Sequence, residues 1–131
     1  MTTPLRILLV EDDGSIGYII QLGMRDLRLP YQLDMAFSAE EGLELWHKQP
    51  YDLILTDYNL RGTNGLDLVT TLKGEGVTVP MVLFTAYDTP ELRRAARAAG
   101  VAAFVAKPFF LDQFINLVRS LLPSSPSSRP L

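Results

Sequence analysis

Leu5-Arg6-Ile7-Leu8-Leu9-Val10-Glu11-Asp12-Asp13-Gly14-Ser15 is the stretch on which the fold turns. Leu5–Val10 is a short, nearly continuous apolar run rich in branched side chains, as expected of a strand covered on both faces. An acidic turn follows, and Ser15 opens a helical pattern in which Ile16, Ile19, Ile20, Gly23 and Leu27 recur every three or four residues until Pro30 stops it. Strand, turn and helix then repeat along the chain. Tyr31 to Ala36 alternates apolar and polar, with Tyr31, Leu33 and Met35 on one side, which predicts a half-exposed edge strand.

Ser38 with Glu41 three residues later is a capping-box signature for a second helix, whose inward stripe is Ala39, Gly42, Leu43 and Trp46. A buried strand over Leu53–Thr56 runs into Asp57, and the turn-rich Asn59–Gly65 leads to a third helix carrying Leu66, Leu68, Val69 and Leu72. Pro80 precedes a buried strand, Met81–Thr85. Leu92, Ala95, Ala96 and Ala99 line a fourth helix closed by Gly100. A small-residue strand over Ala102–Ala106 and a final helix with Phe110, Phe114, Leu117, Val118 and Leu121 make five strand–helix units. This alternation predicts an α/β fold, an open parallel sheet wound on both faces by helices.

The composition is that of an ordinary globular domain, and 131 residues suit a single one. No apolar run approaches the ~20 residues that span a bilayer, and the N-terminus lacks the pattern of a signal peptide. The chain has no cysteine and a net charge of −3, which argues against disulfides, thiolate metal sites and direct nucleic-acid binding. These features are compatible with the cytoplasm. Residues 1–122 are expected to form the domain, and the Pro- and Ser-rich residues 123–131 a disordered terminus or a linker stub. Both a complete single-domain protein and a piece of a longer one fit this pattern.

In a doubly wound sheet, ligands bind beyond the carboxyl ends of the strands. Here those ends offer Asp12 and Asp13, Asp57, Thr85 and Lys107. Gathered carboxylates repel unless a cation or proton intervenes, and an oxygen-lined site suits Mg²⁺, with Mn²⁺ an alternative. Asp57 can then act as a carboxylate nucleophile toward a phosphoryl donor, with Thr85 and Lys107 placed for the phosphoryl oxygens.

These residues carry a family resemblance. Asp12-Asp13 after the first strand, Asp57 after the third, Thr85-Ala86 after the fourth and Lys107-Pro108-Phe109 after the fifth resemble the receiver domain of two-component response regulators, most closely the single-domain chemotaxis type. The resemblance covers Leu5 to Leu122. It implies the flavodoxin-like strand order 2-1-3-4-5. It implies Mg²⁺ bound directly by Asp13, Asp57 and the backbone carbonyl of Asn59, with Asp12 acting through water. A cis Lys107–Pro108 bond is implied as well.

The resemblance further implies a switch in which Thr85 moves toward the phosphoryl group and Phe104 rotates into the vacated space. That movement would alter the surface of the fourth helix, fifth strand and fifth helix. Asn59 and Tyr87 stand where such domains tune the lifetime of the acyl phosphate. The implied partners are a sensor histidine kinase or histidine phosphotransfer protein and an output protein or domain, with a phosphorylation-dependent homodimer also open. No enzyme activity on a separate substrate is expected, and no direct contact with nucleic acid or membrane.

One departure is Arg61, where the family usually has proline, which leaves the geometry of loop 60–64 open. Arg93, Arg94 and Arg97 form a basic stripe on the fourth helix, read as a solvated face or a docking surface. His47 reads as a surface residue near a helix end, not a relay site. A phosphohydrolase that forms an aspartyl phosphate would want a second acid two residues past the nucleophile, where this chain has Asn59. A nucleotide-binding module would want glycines where the first turn is acidic.

Overall fold

The computed structural model describes residues 4–123. Residues 124–131, which hold all but the first residue of the expected tail, lie outside that range. The strands are β1 (Leu5–Val10), β2 (Tyr31–Ala36), β3 (Leu53–Asp57), β4 (Met81–Thr85) and β5 (Ala103–Ala106). The helices are α1 (Gly14–Gly23), α2 (Ala39–Lys48), α3 (Gly65–Gly74), α4 (Pro90–Ala99) and α5 (Leu111–Leu121). All strand pairs are parallel, in the order β2-β1-β3-β4-β5. The chain thus has the expected doubly wound α/β fold.

Alternation along each central strand divides the core. Leu5, Ile7 and Leu9 of β1 join Ile20, Phe84 and Phe114 on the α1/α5 side. Leu8 and Val10 join Ile54, Leu68, Val69 and Leu72 on the other. The edge strand β2 turns Tyr31, Leu33 and Met35 to the first cluster, as its alternation predicts.

Helix ends follow local chemistry. Ser38 Oγ accepts from Glu41 N at 3.1 Å, and Glu41 reaches back to Phe37 N at 3.3 Å, closing the capping box one residue further out than usual. Gly100 ends α4 at φ 90°, a left-handed conformation that a side chain would strain.

Several sequence expectations shift. Leu27 sits on a separate 3-10 turn (Met24–Leu27), because α1 ends at Gly23. Ile19 is 52% exposed, since Ile16, Ile20 and Gly23 already define the inward stripe and Ile19 lies one step off it. Ala95 is exposed, and of α4's residues only Ala96 is buried. Phe110 caps α5 from outside the helix and is 72% exposed. The fifth strand begins at Ala103, one residue later than read.

Candidate functional site

The sheet brings the carboxyl ends of β1, β3, β4 and β5 to one rim. β3 ends in Asp57, held beside β4 by the Asp57–Phe84 register and by Tyr58 N donating to Phe84 O at 3.0 Å. Lys107 follows β5, and its N–H donates to Thr85 O at 2.7 Å, so lysine and threonine enter the rim from adjacent strands. The Lys107–Pro108 peptide is cis.

At the centre, Lys107 Nζ donates to Asp57 Oδ2 at 2.8 Å and to Glu11 Oε1 at 3.4 Å. The ammonium also lies 5.2 Å from the centre of the Phe84 ring, which Phe109 and Phe114 brace edge-on. Asp57 Oδ1 accepts from Asn59 N at 3.1 Å, so both carboxylate oxygens have a donor and the group is oriented. Asp57 is 5% exposed and Glu11 is fully buried. Thr85 is also buried, and its Oγ1 accepts from Tyr87 N at 3.0 Å.

The acidic set differs from the sequence reading by one position. Carboxylate oxygens of Glu11, Asp12 and Asp57 all lie within 4.8 Å of one another. Asp13 is exposed and turned away, its Oδ1 accepting from Ser15 N at 2.9 Å and Ile16 N at 3.4 Å as the N-cap of α1. The reason is local. A helix start needs a carboxylate or hydroxyl for its free N–H groups, and Asp13 is the residue at that boundary. Glu11 and Asp12, nearer the strand, are left facing the rim. The pairing of Asp12 with Asp13 is therefore corrected to Glu11 with Asp12. Glu11 was missed because an acid directly after Val10 reads as part of the turn. The signal for it was its position as the first residue beyond the buried strand.

Like charges at about 4–5 Å repel by about 3–4 kcal/mol at an effective dielectric near 20, more than one ammonium can offset across three acids. The protein responds by holding a proton. Burial, then the hydrogen bond and charge of Asp57, push the Glu11 carboxyl up to about 8, against the opposing charge of Lys107. Burial works against the Lys107 ammonium too, but the hydrogen bond and charge of Asp57, joined by Glu11, outweigh it and raise that group. A cluster of oxygen donors that must otherwise retain a proton fits a hard divalent cation such as Mg²⁺.

A pH dependence follows from Glu11. Between its ordinary value of 4.5 and about 8 the folded, metal-free chain keeps a proton that the unfolded chain releases, so stability falls as pH rises through that window. The expected slope is at most about 1.4 kcal/mol per pH unit. Mg²⁺ at these oxygens would have to displace the same proton, so its apparent affinity should rise up to about tenfold per unit below pH 8 and then level. Urea unfolding and Mg²⁺ titration across pH 5–9, with Glu11→Gln flattening both profiles, check this.

Asn59, Tyr87 and Arg61 lie exposed on the loops around the rim. Phe104 is half-buried on the edge strand β5. Gly65, which the sequence reading took only as the end of a turn, packs directly against the backbone of Asp57. His47 pairs with Glu75 at 2.8 Å, between helix ends remote from the rim.

Comparison with known proteins places this architecture. The sequence profile of the response regulator receiver domain matches residues 7–119. Response regulator RppA of Synechocystis is 30% identical over 128 residues, covering 96% of this chain and 54% of that protein. Cell cycle transcriptional regulator CtrA of Caulobacter vibrioides is 29% identical over 122 residues, 92% of this chain and 52% of the relative. The chain thus spans about half the length of the curated relatives it matches. Among solved structures, the non-phosphorylated HemR receiver domain from Leptospira biflexa superposes with a TM-score of 0.79 at 30% identity, covering 97% of this chain and 98% of that one. The chain belongs to the response regulator receiver domain family of two-component signalling.

Proposed function

We propose that this chain is a phosphoacceptor switch that takes a phosphoryl group on Asp57 in a Mg²⁺-dependent reaction. The observation that carries the reading is the Asp57 carboxylate itself. It is nearly buried, oriented by Lys107 Nζ and Asn59 N, and set among the carboxylates of Glu11 and Asp12.

One carboxylate oxygen of Asp57 attacks phosphorus, the bond from phosphorus to the donor's leaving group breaks (P–N for a phosphohistidine, P–O for acetyl phosphate), and its electron pair leaves with that group. Lys107 offsets charge on the transferring oxygens, and Thr85 Oγ1 can donate to one of them once it exchanges its contact with Tyr87 N. Glu11, Asp12, Asp57 and the carbonyl of Asn59 would hold Mg²⁺, which would supply charge neutralisation for the acids and the phosphoryl group alike. Asp13 is not among the proposed ligands, because it caps α1.

The donor is a histidine kinase or histidine phosphotransfer protein. Beside the rim runs an apolar groove of ≈ 440 Å³ lined by Ile16, Ile19, Ala86, Pro108, Phe109 and Leu111, which suits a protein donor. The reporting surface is α4-β5-α5, read by an output protein or domain or by a second copy of the chain. Catalysis is confined to the protein's own phosphorylation and dephosphorylation, and the reaction takes place in the cytoplasm. Among the described residues no helix is long and apolar enough to cross a membrane.

Acetyl phosphate with Mg²⁺ should add one phosphoryl group by intact mass, and chelation of the metal should prevent it. No adduct under rapid quenching would remove the reading. Tyr87 is 58% exposed beside the site, where its ring can screen an attacking water. Tyr87→Ala should shorten the phosphoryl lifetime several-fold, read from the decay of the adduct, and an unchanged decay would show that Tyr87 has no such role.

A further inference from the structure

We propose that Arg93, held in place by Asp88, clamps the Phe104 ring in its half-exposed position and so restrains the switch in the unphosphorylated protein. The inference rests on the receiver reading above and adds to it two residues, Arg93 and Asp88, to which the resemblance gives no role.

Phe104 is half-buried, yet among the described residues it belongs to neither apolar cluster. Open space borders it on two sides, a groove of ≈ 220 Å³ toward α4 and one of ≈ 420 Å³ toward α5. Open space on two sides leaves the ring less firmly held than an aromatic packed in the core. One contact on the ring is a cation: the Arg93 guanidinium carbon lies 4.6 Å from the ring centre.

Arg93 does not hold that place unaided. It sits in the first turn of α4, where the helix dipole disfavours a positive charge. Asp88, just before the helix, offsets this with a two-pronged ion pair, Nε to Oδ1 and Nη2 to Oδ2 at 3.0 Å. The pair raises the Arg93 group and lowers the Asp88 carboxyl.

The clamp is wired to the site. Asp88 stands three residues past Thr85, on a loop whose first turn is the bond from Tyr87 N to Thr85 Oγ1. When Thr85 turns toward a phosphoryl group that bond breaks, and the segment carrying Asp88 is freed. Arg93 then leaves the ring. α4 can follow because it buries only Ala96. The basic stripe is therefore not uniform: Arg93 is a positioning residue for Phe104, whereas Arg94 makes only a 3.9 Å approach to Glu91.

The test uses beryllofluoride with Mg²⁺ as the probe and ring-labelled phenylalanine NMR as the readout. Arg93→Ala should lower the half-saturating beryllofluoride concentration about two- to fivefold, the range of an exposed cation–π contact. In the ligand-free variant the Phe104 resonances should move part of the way toward their bound positions. Asp88→Asn should shift both readouts in the same direction, and Arg94→Ala neither. These positions are exposed, so folding is not at risk. An Arg93→Ala protein with unchanged affinity and ring resonances would overturn the clamp while wild-type binding upheld the phosphoacceptor reading. An equal effect from Arg94→Ala would overturn it in favour of general charge. A wild-type protein that fails to bind the probe would overturn both.

Discussion

Gly65→Ala should destabilise the fold by about 2–4 kcal/mol and slow phosphoryl uptake at least tenfold. A Cβ at this position would lie 2.0 Å from the carbonyl oxygen of Asp57 and 2.9 Å from both its carbonyl carbon and Thr56 Oγ1. Two of those atoms are backbone at the end of a buried strand, so the neighbour cannot step aside as a flexible side chain would. Gly65 N also donates to Tyr58 O at 2.8 Å, which ties the start of α3 to the residue after the acceptor. The requirement is therefore space, and an added methyl pushes either the helix or the acceptor out of place. Gly74→Ala at the other end of α3 meets nothing within 4 Å and should be neutral or slightly stabilising. Urea unfolding of the two variants, with acetyl phosphate uptake beside it, separates the local clash from a general effect of glycine.

Lys107→Met should have the second large effect. The substitution keeps most of the apolar stem over Phe84 and removes the charge that lies 2.8 Å from Asp57 and 3.4 Å from Glu11. Removing one partner from a buried ionic group costs about 3–5 kcal/mol when nothing else neutralises the remainder. Here the proton that Glu11 holds can absorb part of that, so a loss of about 2–3 kcal/mol is expected at pH 8 and less at pH 6. Phosphoryl uptake should fall at least tenfold, because an electrostatic clamp on the transferring group is gone. Mg²⁺ should restore more stability to the variant than to the wild type, since the metal then supplies the only neutralising charge at the rim. Unfolding curves with and without Mg²⁺ at both pH values check these outcomes, and Lys107→Arg should retain most of the stability.

The fold was readable because each strand–helix unit repeats the same hydrophobic grammar. Leu5–Val10 and Met81–Thr85 are too short and too apolar to be anything but covered strands, and Ser38 and Gly100 mark helix ends by mechanisms that act locally. Asp57, Thr85 and Lys107 could be placed at one rim because topology alone aligns the ends of parallel strands.

What escaped were properties set by a single residue's orientation. Composition does not say whether Asp13 faces the rim or caps α1, since one dihedral step separates the two, and the demand of the helix N-terminus decides it. Glu11 was hidden for the same reason. Gly65 looked like ordinary turn chemistry until the closeness of Asp57 O was visible. Ile19 matched the helical period yet faces solvent, because the stripe of Ile16, Ile20 and Gly23 was already wide enough. The ion pair between Asp88 and Arg93 has no periodic signature and depends on the course of one loop.

The most direct test of the central claim is chemical mapping of the phosphoryl group. The protein would be treated with acetyl phosphate and Mg²⁺, reduced at once with borohydride, and digested for peptide mass analysis. Borohydride reduces an aspartyl phosphate to homoserine and a glutamyl phosphate to 5-hydroxynorvaline, so homoserine at position 57, with neither alcohol at positions 11 and 12 nor in unphosphorylated protein, is the predicted result. A phosphoryl group that survives reduction on a hydroxyl or on His47, or no modification at position 57, would contradict the assignment of Asp57 as the acceptor.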